Sequence, residues 1–98
     1  MIIHKEILSG TPSLGDLAVN TEVTFMGVLR QIIVSPATST TTYNLTITDD
    51  NSLDMFCESS VTGSYAPEVA LPVRGIYTIT IDSATNDELF TIVLGVEE

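Results

Sequence analysis

Positive charge is scarce in this chain of 98 residues, which has 3 Lys and Arg residues against 13 Asp and Glu, for a formal net charge of -10. Nucleic acid repels such a surface, because proteins bind it mainly through Lys and Arg on phosphate. An anionic membrane surface is disfavoured for the same reason. We therefore expect no nucleic acid and no membrane among the partners. An acidic surface does suit solubility, a basic partner or divalent cations.

Cysteine and long apolar runs are also nearly absent. Cys57 is the single cysteine, which excludes an intrachain disulfide framework. Because it falls in a probable strand, we predict a buried, inert thiol. No apolar run approaches the roughly 18 residues that span a bilayer, and the start of the chain lacks the apolar core of a signal peptide. We expect synthesis in a cytoplasm.

Catalytic motifs are missing as well. The sequence has no GxSxG, no phosphate-binding loop and no CxxC. The sole histidine, His4, has only Glu6 at a metal-ligand spacing, so a zinc site is not expected. We expect no enzymatic activity and no cofactor.

Alternating apolar and polar residues are the clearest pattern that is present. Residues 77–82 alternate, residues 83–88 are turn formers, and residues 89–94 are nearly all apolar. Two such runs across a short polar loop predict an antiparallel hairpin, placed centrally in a sheet. Residues 43–48 alternate in the same way, with a turn at 49–52 and a returning strand at 53–57.

The remaining segments complete an all-β pattern. Residues 2–8 suit an edge strand, and residues 58–72 suit a long connection that crosses between two sheets. Residues 14–19 fit a single helical turn or an irregular link. In the run from residue 21 to 34, a bulge near Gly27 would flip the facing register and let Arg30 point outward or lie along an apolar wall.

These strands predict the fold class. Six or seven strands with turns roughly every ten residues indicate an antiparallel β-sandwich or small barrel with Greek-key-like connections. We expect a single domain over residues 1–98. Tyr43 and Tyr77 share the inward parity of their strands and are predicted to lie in the core.

Three residues are candidates for a subunit interface. Arg30 and Arg74 are two of the few cations in an acidic chain, so each could anchor carboxylates or a subunit contact. Tyr65, in the long connection, is the aromatic expected at the surface. Charged residues make up only 16% of the chain, against about 25% in a typical domain, which favours a surface hidden against copies or a partner.

An acidic turn is the candidate metal site. Asp49, Asn51 and Asp54 supply the oxygen ligands that calcium prefers. The EF-hand pattern fails, however, because its glycine and closing glutamate are missing. A solvated turn explains the same residues. A second acidic loop contains Asp82, Asp87 and Glu88, and a cation could bridge the two loops if they are neighbours at one end of the sandwich.

Several segments together resemble a known class of protein. They are residues 23–27 (VTFMG), 32–43 (IIVSPATSTTTY), 45–49 (LTITD) and 71–77 (LPVRGIY). They are similar to small β-rich virion proteins of tailed bacteriophages, both capsid decoration (cement) proteins and head-to-tail proteins. The resemblance implies a structural protein of the virion, made in the host cytoplasm. It also implies a homotrimer or ring that contacts the major capsid protein or neck proteins.

Three functions follow for testing. The first is a capsid decoration protein that stabilises the phage head, or a head-to-tail protein of the neck. The second is a carbohydrate- or calcium-binding β-sandwich module. The third, a small enzyme or enzyme inhibitor, lacks a catalytic constellation.

Overall fold

A computed structural model describes residues 3–13, 16–21, 25–38, 40–51, 53–84 and 88–97. These residues form eight strands and no helix, so the all-β prediction is confirmed, with eight strands instead of six or seven. The strands are β1 (Ile3–Gly10), β2 (Leu17–Asn20), β3 (Phe25–Pro36), β4 (Thr42–Thr48), β5 (Asp54–Thr62), β6 (Glu68–Gly75), β7 (Thr78–Asp82) and β8 (Phe90–Glu97).

The strands form two four-stranded antiparallel sheets. Sheet A has the order β1-β8-β3-β6, and sheet B has the order β2-β7-β4-β5. Among the described strands, β4 and β5 are the one consecutive pair that lies in the same sheet. Each other connection passes from one sheet to the other. Eight strands in this order form a jelly roll, which contains two Greek keys.

The predicted hairpin of β7 and β8 is wrong, because β7 pairs with β2 and β4 in sheet B and β8 pairs with β1 and β3 in sheet A. Residues 83–89 join them and are too many for the common hairpin loop of two to five residues. They are enough to cross the roughly 10 Å between packed sheets. Both strands still turn their apolar faces to one core.

The core lies between the sheets and is built from the inward positions of the strands. Tyr43 of sheet B meets Phe90 of sheet A edge to face, with ring centroids 5.2 Å apart. The inward prediction for Tyr43 and Tyr77 is confirmed, since both are buried. The buried hydrophobic residues are Leu8, Leu29, Ile32, Val34, Tyr43, Leu45, Ile47, Val61, Val73, Tyr77, Ile79, Ile81, Phe90, Ile92, Leu94 and Val96.

Both tyrosine hydroxyls have partners inside the protein. The Tyr43 hydroxyl donates to the carbonyl oxygen of Gly63 at 2.8 Å. The Tyr77 hydroxyl accepts from the backbone N–H of Arg74 at 2.8 Å. Each bond lets an aromatic ring lie in the core while its polar end is satisfied.

Strand β3 contains the predicted bulge, but three residues later than expected. Gly27 pairs regularly with Val73, and its φ of 144° accounts for the glycine. The register shifts between Leu29 and Gln31, so Arg30 is the extra residue opposite β8. Because the extra residue flips the facing pattern, Leu29 and Ile32 both point into the core.

The sheet edges explain two further segments. The predicted edge strand is confirmed as β1, at one edge of sheet A, and β6 lies at the other edge. Pro72 lies in β6, and an edge strand is where a sheet tolerates proline. The segment at 14–19 contributes strand β2 from Leu17 onward, and not a helical turn. A Cβ on Gly10 would lie 2.7 Å from Leu17 Cδ1, so glycine allows the close crossing from β1 to β2.

The connection predicted over residues 58–72 does cross between the sheets, from β5 to β6. Most of it is strand, however, and only residues 63–67 lie between the two elements. The described residues include no helix with the length and apolar character needed to cross a membrane.

Candidate functional site

The outward side of sheet A is the candidate site, and we call it the A face. Along β8 the side chains alternate, with Ile92 and Leu94 buried and Val93 half-buried on the outer side. The register places Val93 directly between Ile7 of β1 and Ile33 of β3. These three residues form an apolar row across three strands, and Ile7 is 69% exposed.

Small and polar side chains flank the apolar row on both sides. One neighbouring row is Ser9, Thr91 and Ser35, and the other is Lys5, Gly95 and Gln31. The apolar row is thus bordered by hydroxyl groups on one side and by Lys5 and Gln31 on the other, which gives a flat surface with its polar groups beside the apolar strip. Such a surface suits contact with another protein surface, whose apolar side chains can cover the row.

The bulge adds a groove to the A face. Arg30 is 49% exposed, and its Nε donates to Glu97 Oε2 at 3.1 Å. The groove has a volume of about 360 Å³ and is lined by Arg30, Gln31, Glu68, Val69 and Glu97. Bulges commonly redirect a side chain at the surface, and here the redirected group is one of the few cations of the chain.

All three Lys and Arg side chains of the chain lie on the A face. Three exposed residues carry these charges: Lys5 on β1, Arg30 on β3 and Arg74 on β6. Each is next in its strand to a residue that points inward. Two described carboxylates, Glu68 and Glu97, share the face. The A face therefore holds three cations and two described carboxylates in a chain of net charge -10.

The outward side of sheet B, which we call the B face, has a different character. Thr46 and Thr48 of β4 lie in register with Thr80 and Thr78 of β7. These four side chains form a two-by-two grid of methyl and hydroxyl groups. The grid is anchored at its side, because Thr78 Oγ1 donates to Asn20 Oδ1 at 2.7 Å.

A single amide joins three strands on the B face. Asn44 Nδ2 donates to Asp82 Oδ1 at 2.7 Å, and Asn44 Oδ1 accepts from the backbone N–H of Ser60 at 2.9 Å. Ser60 has a φ of 57°, so this bond stabilises an irregular point in edge strand β5. Because all three Lys and Arg residues lie on the A face, the carboxylates Asp54 and Asp82 have no Lys or Arg on their own face.

Two of the three predicted interface residues come together on the same face. Arg30 and Arg74 are both exposed on the A face, on neighbouring strands β3 and β6. Tyr65 is elsewhere: it is half-buried in the β5–β6 connection, and its backbone pairs with that of Val34. Burial raises the pKa of Tyr65, and the charge and hydrogen bond of Glu58 raise it further.

The predicted calcium residues are engaged in the turn itself. Asp49 Oδ1 accepts the backbone N–H groups of Asn51 and Leu53, both at 2.9 Å. Thr48 Oγ1 donates to Asp54 Oδ1 at 3.4 Å. These bonds are those of an ordinary polar turn. Within the described ranges, no three His, Cys, Asp or Glu side chains are grouped so that they could hold a metal ion.

The two acidic loops lie at opposite ends of sheet B. Asp82 pairs with Asn44 near the start of β4, whereas the turn at 49–53 follows the end of β4. One cation therefore does not bridge them through Asp82. Glu88 instead bonds to Thr38 and Thr41, whose hydroxyls hold the pKa of its carboxyl below the usual value. Asp87 lies outside the described residues.

The prediction of a buried thiol is wrong. Cys57 is exposed on β5, opposite Thr46, with Sγ and Oγ1 3.7 Å apart. The reason is that β5 is an edge strand whose side chains from Cys57 to Ser60 are all exposed. A local apolar run indicates a strand, but does not reveal whether the strand is central or at an edge.

The apolar row of Ile7, Val93 and Ile33 is the feature that sequence reasoning missed. Each residue is unremarkable in its own strand, and the row exists only through the register of β1, β8 and β3. The sequence contained one signal, because β8 has apolar residues at both parities and this pattern indicated a central strand with something packed over it. It did not indicate which residues of the neighbouring strands complete the row.

Comparisons with known proteins are sparse. No protein-family model and no curated protein matches the chain. A chain from the structure of infectious bursal disease virus, Gt strain, aligns at 7% identity and a TM-score of 0.44, over 97% of this chain and 32% of that chain. The Gx strain aligns at 7% identity and a TM-score of 0.41, over 98% of this chain and 32% of that chain.

A bacterial protein aligns over a larger share of its own length. It is Aeromonas hydrophila PliG, a periplasmic lysozyme inhibitor of g-type lysozyme, with 12% identity and a TM-score of 0.43, over 96% of this chain and 84% of that chain. In the two viral alignments, by contrast, this chain spans only about a third of the length of the viral chain. Likenesses at this level say nothing about function.

Proposed function

We propose that this protein is a non-enzymatic structural protein of a virion, and specifically a capsid decoration protein that stabilises the head of a tailed bacteriophage. It acts by contact: it covers surface on the shell and on its neighbours, and adds binding energy that the shell alone lacks. A position in the neck, between head and tail, is the related alternative.

The jelly-roll architecture is compatible with this proposal. Eight-stranded jelly rolls occur in viral capsid domains, and also in lectins and cupins. One fold hosts many functions, so this support is an analogy between folds. The sequence segments that resemble phage virion proteins favour the capsid role over the other two.

The A face is the observation that carries the proposal. In an acidic chain, one broad face combines the apolar row of Ile7, Val93 and Ile33 with every lysine and arginine. Protein interfaces are depleted of charge at their centre and carry polar and charged groups at the rim. A contact protein needs such a face, and a small soluble monomer does not.

Co-sedimentation tests the proposal. Empty heads of a tailed phage whose genome encodes this chain are stripped of accessory proteins and mixed with the purified protein. We expect the protein to pellet with the heads up to a fixed number per head, and to raise the temperature at which the heads break open. Heads that keep their accessory proteins are the control, because their sites are filled.

A protein that stays in the supernatant with stripped heads at every ratio, and leaves their breakage temperature unchanged, contradicts the decoration role. Pelleting with isolated necks instead of heads would favour the alternative position.

A further inference from the structure

The two outer faces of the sandwich have opposite electrostatic character. The A face carries Lys5, Arg30 and Arg74, whereas the B face has carboxylates and no Lys or Arg. We propose that the A face of one copy docks on the B face of a second copy, so that copies join face to back. This inference rests on the proposed function in one respect, because it treats the A face as a protein contact.

Charge distinguishes this arrangement from the two symmetric ones. Joining two B faces would oppose Asp54 and Asp82 to the same acids in the partner. Joining two A faces would oppose two surfaces that each carry three cations and two described carboxylates, Glu68 and Glu97. In the face-to-back arrangement the cations meet a surface with carboxylates and no Lys or Arg, so the cations of the A face meet no like charge. At physiological salt the Debye length is about 8 Å, so the groups in contact decide, and the net charge of -10 is largely screened.

Arg30 has the donors for such a contact. Its Nε is used by Glu97, and a guanidinium has four further N–H groups in a planar fork. With 49% of the side chain exposed in a groove, these donors are open to a carboxylate from another copy. Charge-assisted bonds of this type align a contact as well as strengthen it.

Shape favours the same pairing. The apolar row of the A face needs a flat surface with methyl groups, and the threonine grid of the B face offers four of them. The size of the contact predicts its strength. The B face is the smaller of the two, and its strands of 4, 5, 7 and 9 residues, about 4.8 Å apart, cover roughly 400 Å². An area of this size per side is in the range of weak and reversible interfaces.

Face-to-back contacts differ from symmetric dimers in how they grow. A face-to-back dimer keeps one free A face and one free B face, so the assembly does not stop at two copies. Because the two faces lie on opposite sides of the sandwich, further copies add as an open stack. Short stacks are therefore the expected product, at high protein concentration or on a surface that gathers the copies.

Sedimentation velocity of the full chain tests the proposal with variants at exposed positions. Lys5→Glu/Ile7→Glu alters the A face, and Ala18→Lys/Asp54→Lys alters the B face. Thr11→Glu/Ser64→Glu, which changes exposed residues off both faces, is the control. Circular dichroism and melting temperature check that each variant folds.

We expect each face variant alone to associate at least tenfold more weakly than wild type, and the control to match wild type. An equimolar mixture of the two face variants should recover association, because each supplies the face that the other lacks.

Cross-linking gives a second readout that needs no loss of binding, because Cys57 is exposed beside the threonine grid. Ile7→Cys/Cys57→Ser is mixed with wild type and treated with a short bismaleimide. We expect a heterodimer linked from position 7 to position 57. Efficient homodimers of the variant alone, without heterodimers, would show that A faces meet each other and would overturn the proposal.

Wild type that stays monomeric at millimolar concentration, or a B-face variant that associates as wild type does, would also overturn it. These outcomes are distinct from failure of the proposed function. A protein that pellets with heads but shows no face-to-back contact keeps the decoration role. Face-to-back assemblies that do not bind heads refute the role and keep the contact.

Discussion

The A face and the B face belong to one sandwich and share its inner design, yet their outer surfaces differ. Inward, β8 contributes Ile92 and β7 contributes Ile79, both fully buried. Outward, β8 presents Val93 within an apolar row, and β7 presents Thr78 and Thr80 within a hydroxyl grid. The inward residues alone form the core of the jelly roll. The outward residues of its central strands can therefore be used for contact with another protein.

The largest effect is expected from shortening β3 by one residue. Deleting Arg30 removes the residue that is extra opposite β8, so Leu29, Gln31 and Ile32 would alternate regularly and the core face would be kept. Deleting Ile33 instead would turn every later residue of β3 to the wrong side. We expect the first variant to fold. It loses the exposed Arg30–Glu97 ion pair, which is worth about 0–1 kcal/mol, and its pairing with β6 must readjust. The second should lose most of the 5–15 kcal/mol that stabilises a small domain.

Urea denaturation of both variants measures this difference. Equal destabilisation by the two deletions would mean that Arg30 is an integral ladder residue and that the bulge is misplaced. The bulge would then not explain why the guanidinium of Arg30 lies exposed on the A face.

Equivalent substitutions on the inner sides of the sheets should cost the same. Ile92→Ala in sheet A and Ile79→Ala in sheet B each remove a fully buried side chain, so we expect losses of about 2–5 kcal/mol in both. Ile7→Ala, on the A face, removes an exposed side chain and should cost under about 0.5 kcal/mol. Chemical denaturation tests this ranking, and a large loss for Ile7→Ala would mean that this residue packs in the core.

The contact between Tyr43 and Phe90 joins the sheets and has a polar group on the sheet B side only. Tyr43→Phe leaves the Gly63 carbonyl without its donor, and we expect a loss of about 1–3 kcal/mol. Burial raises the pKa of Tyr43 to about 12, with the nearby Tyr65 adding to the effect.

This pKa predicts the dependence of stability on alkaline pH. The folded state holds the proton more tightly than the unfolded state, whose tyrosine pKa is about 10. The associated stability is therefore complete below pH 10 and is lost as the pH rises from 10 towards 12. Melting temperatures across this range should fall more steeply for wild type than for Tyr43→Phe. Parallel curves would contradict the role of the buried phenol.

The smallest effect is expected from removing metal ions. The carboxylate of Asp49 already accepts two backbone N–H groups of its own turn, so the turn does not need an ion to hold its shape. We expect EDTA to leave the melting temperature unchanged within about 1 °C. A fall of several degrees, restored by calcium, would favour the cation-binding module over the contact protein.

Local patterns in the sequence predicted local structure well. The alternation from Tyr43 onward and the polar turn at Asp49 predicted the β4–β5 hairpin, which is formed by neighbouring segments. The inward tyrosines followed from the same parity. For Arg30 the sequence left two alternatives, pointing outward or lying along an apolar wall, and the side chain is exposed. The bulge that directs it was placed near Gly27, because a glycine is visible in sequence and a register shift is not.

Features that depend on distant partners could not be predicted in this way. Alternation tells which side of a strand is apolar, but not which sheet the strand joins, so β7 and β8 were wrongly paired. Exposure of Cys57 follows from the edge position of β5, and the row through Val93 follows from the register of three strands. The contact role and the phage origin stay predictions.

One measurement tests most directly whether the two faces meet. Backbone amide NMR spectra of the wild type, recorded from micromolar to millimolar concentration, report which residues change surroundings as copies associate. The account predicts concentration-dependent shifts in two patches, one around Ile7, Ile33 and Val93 and the other around Thr46 and Thr80, growing together. Shifts confined to the first patch, or spectra that do not change with concentration, would contradict it.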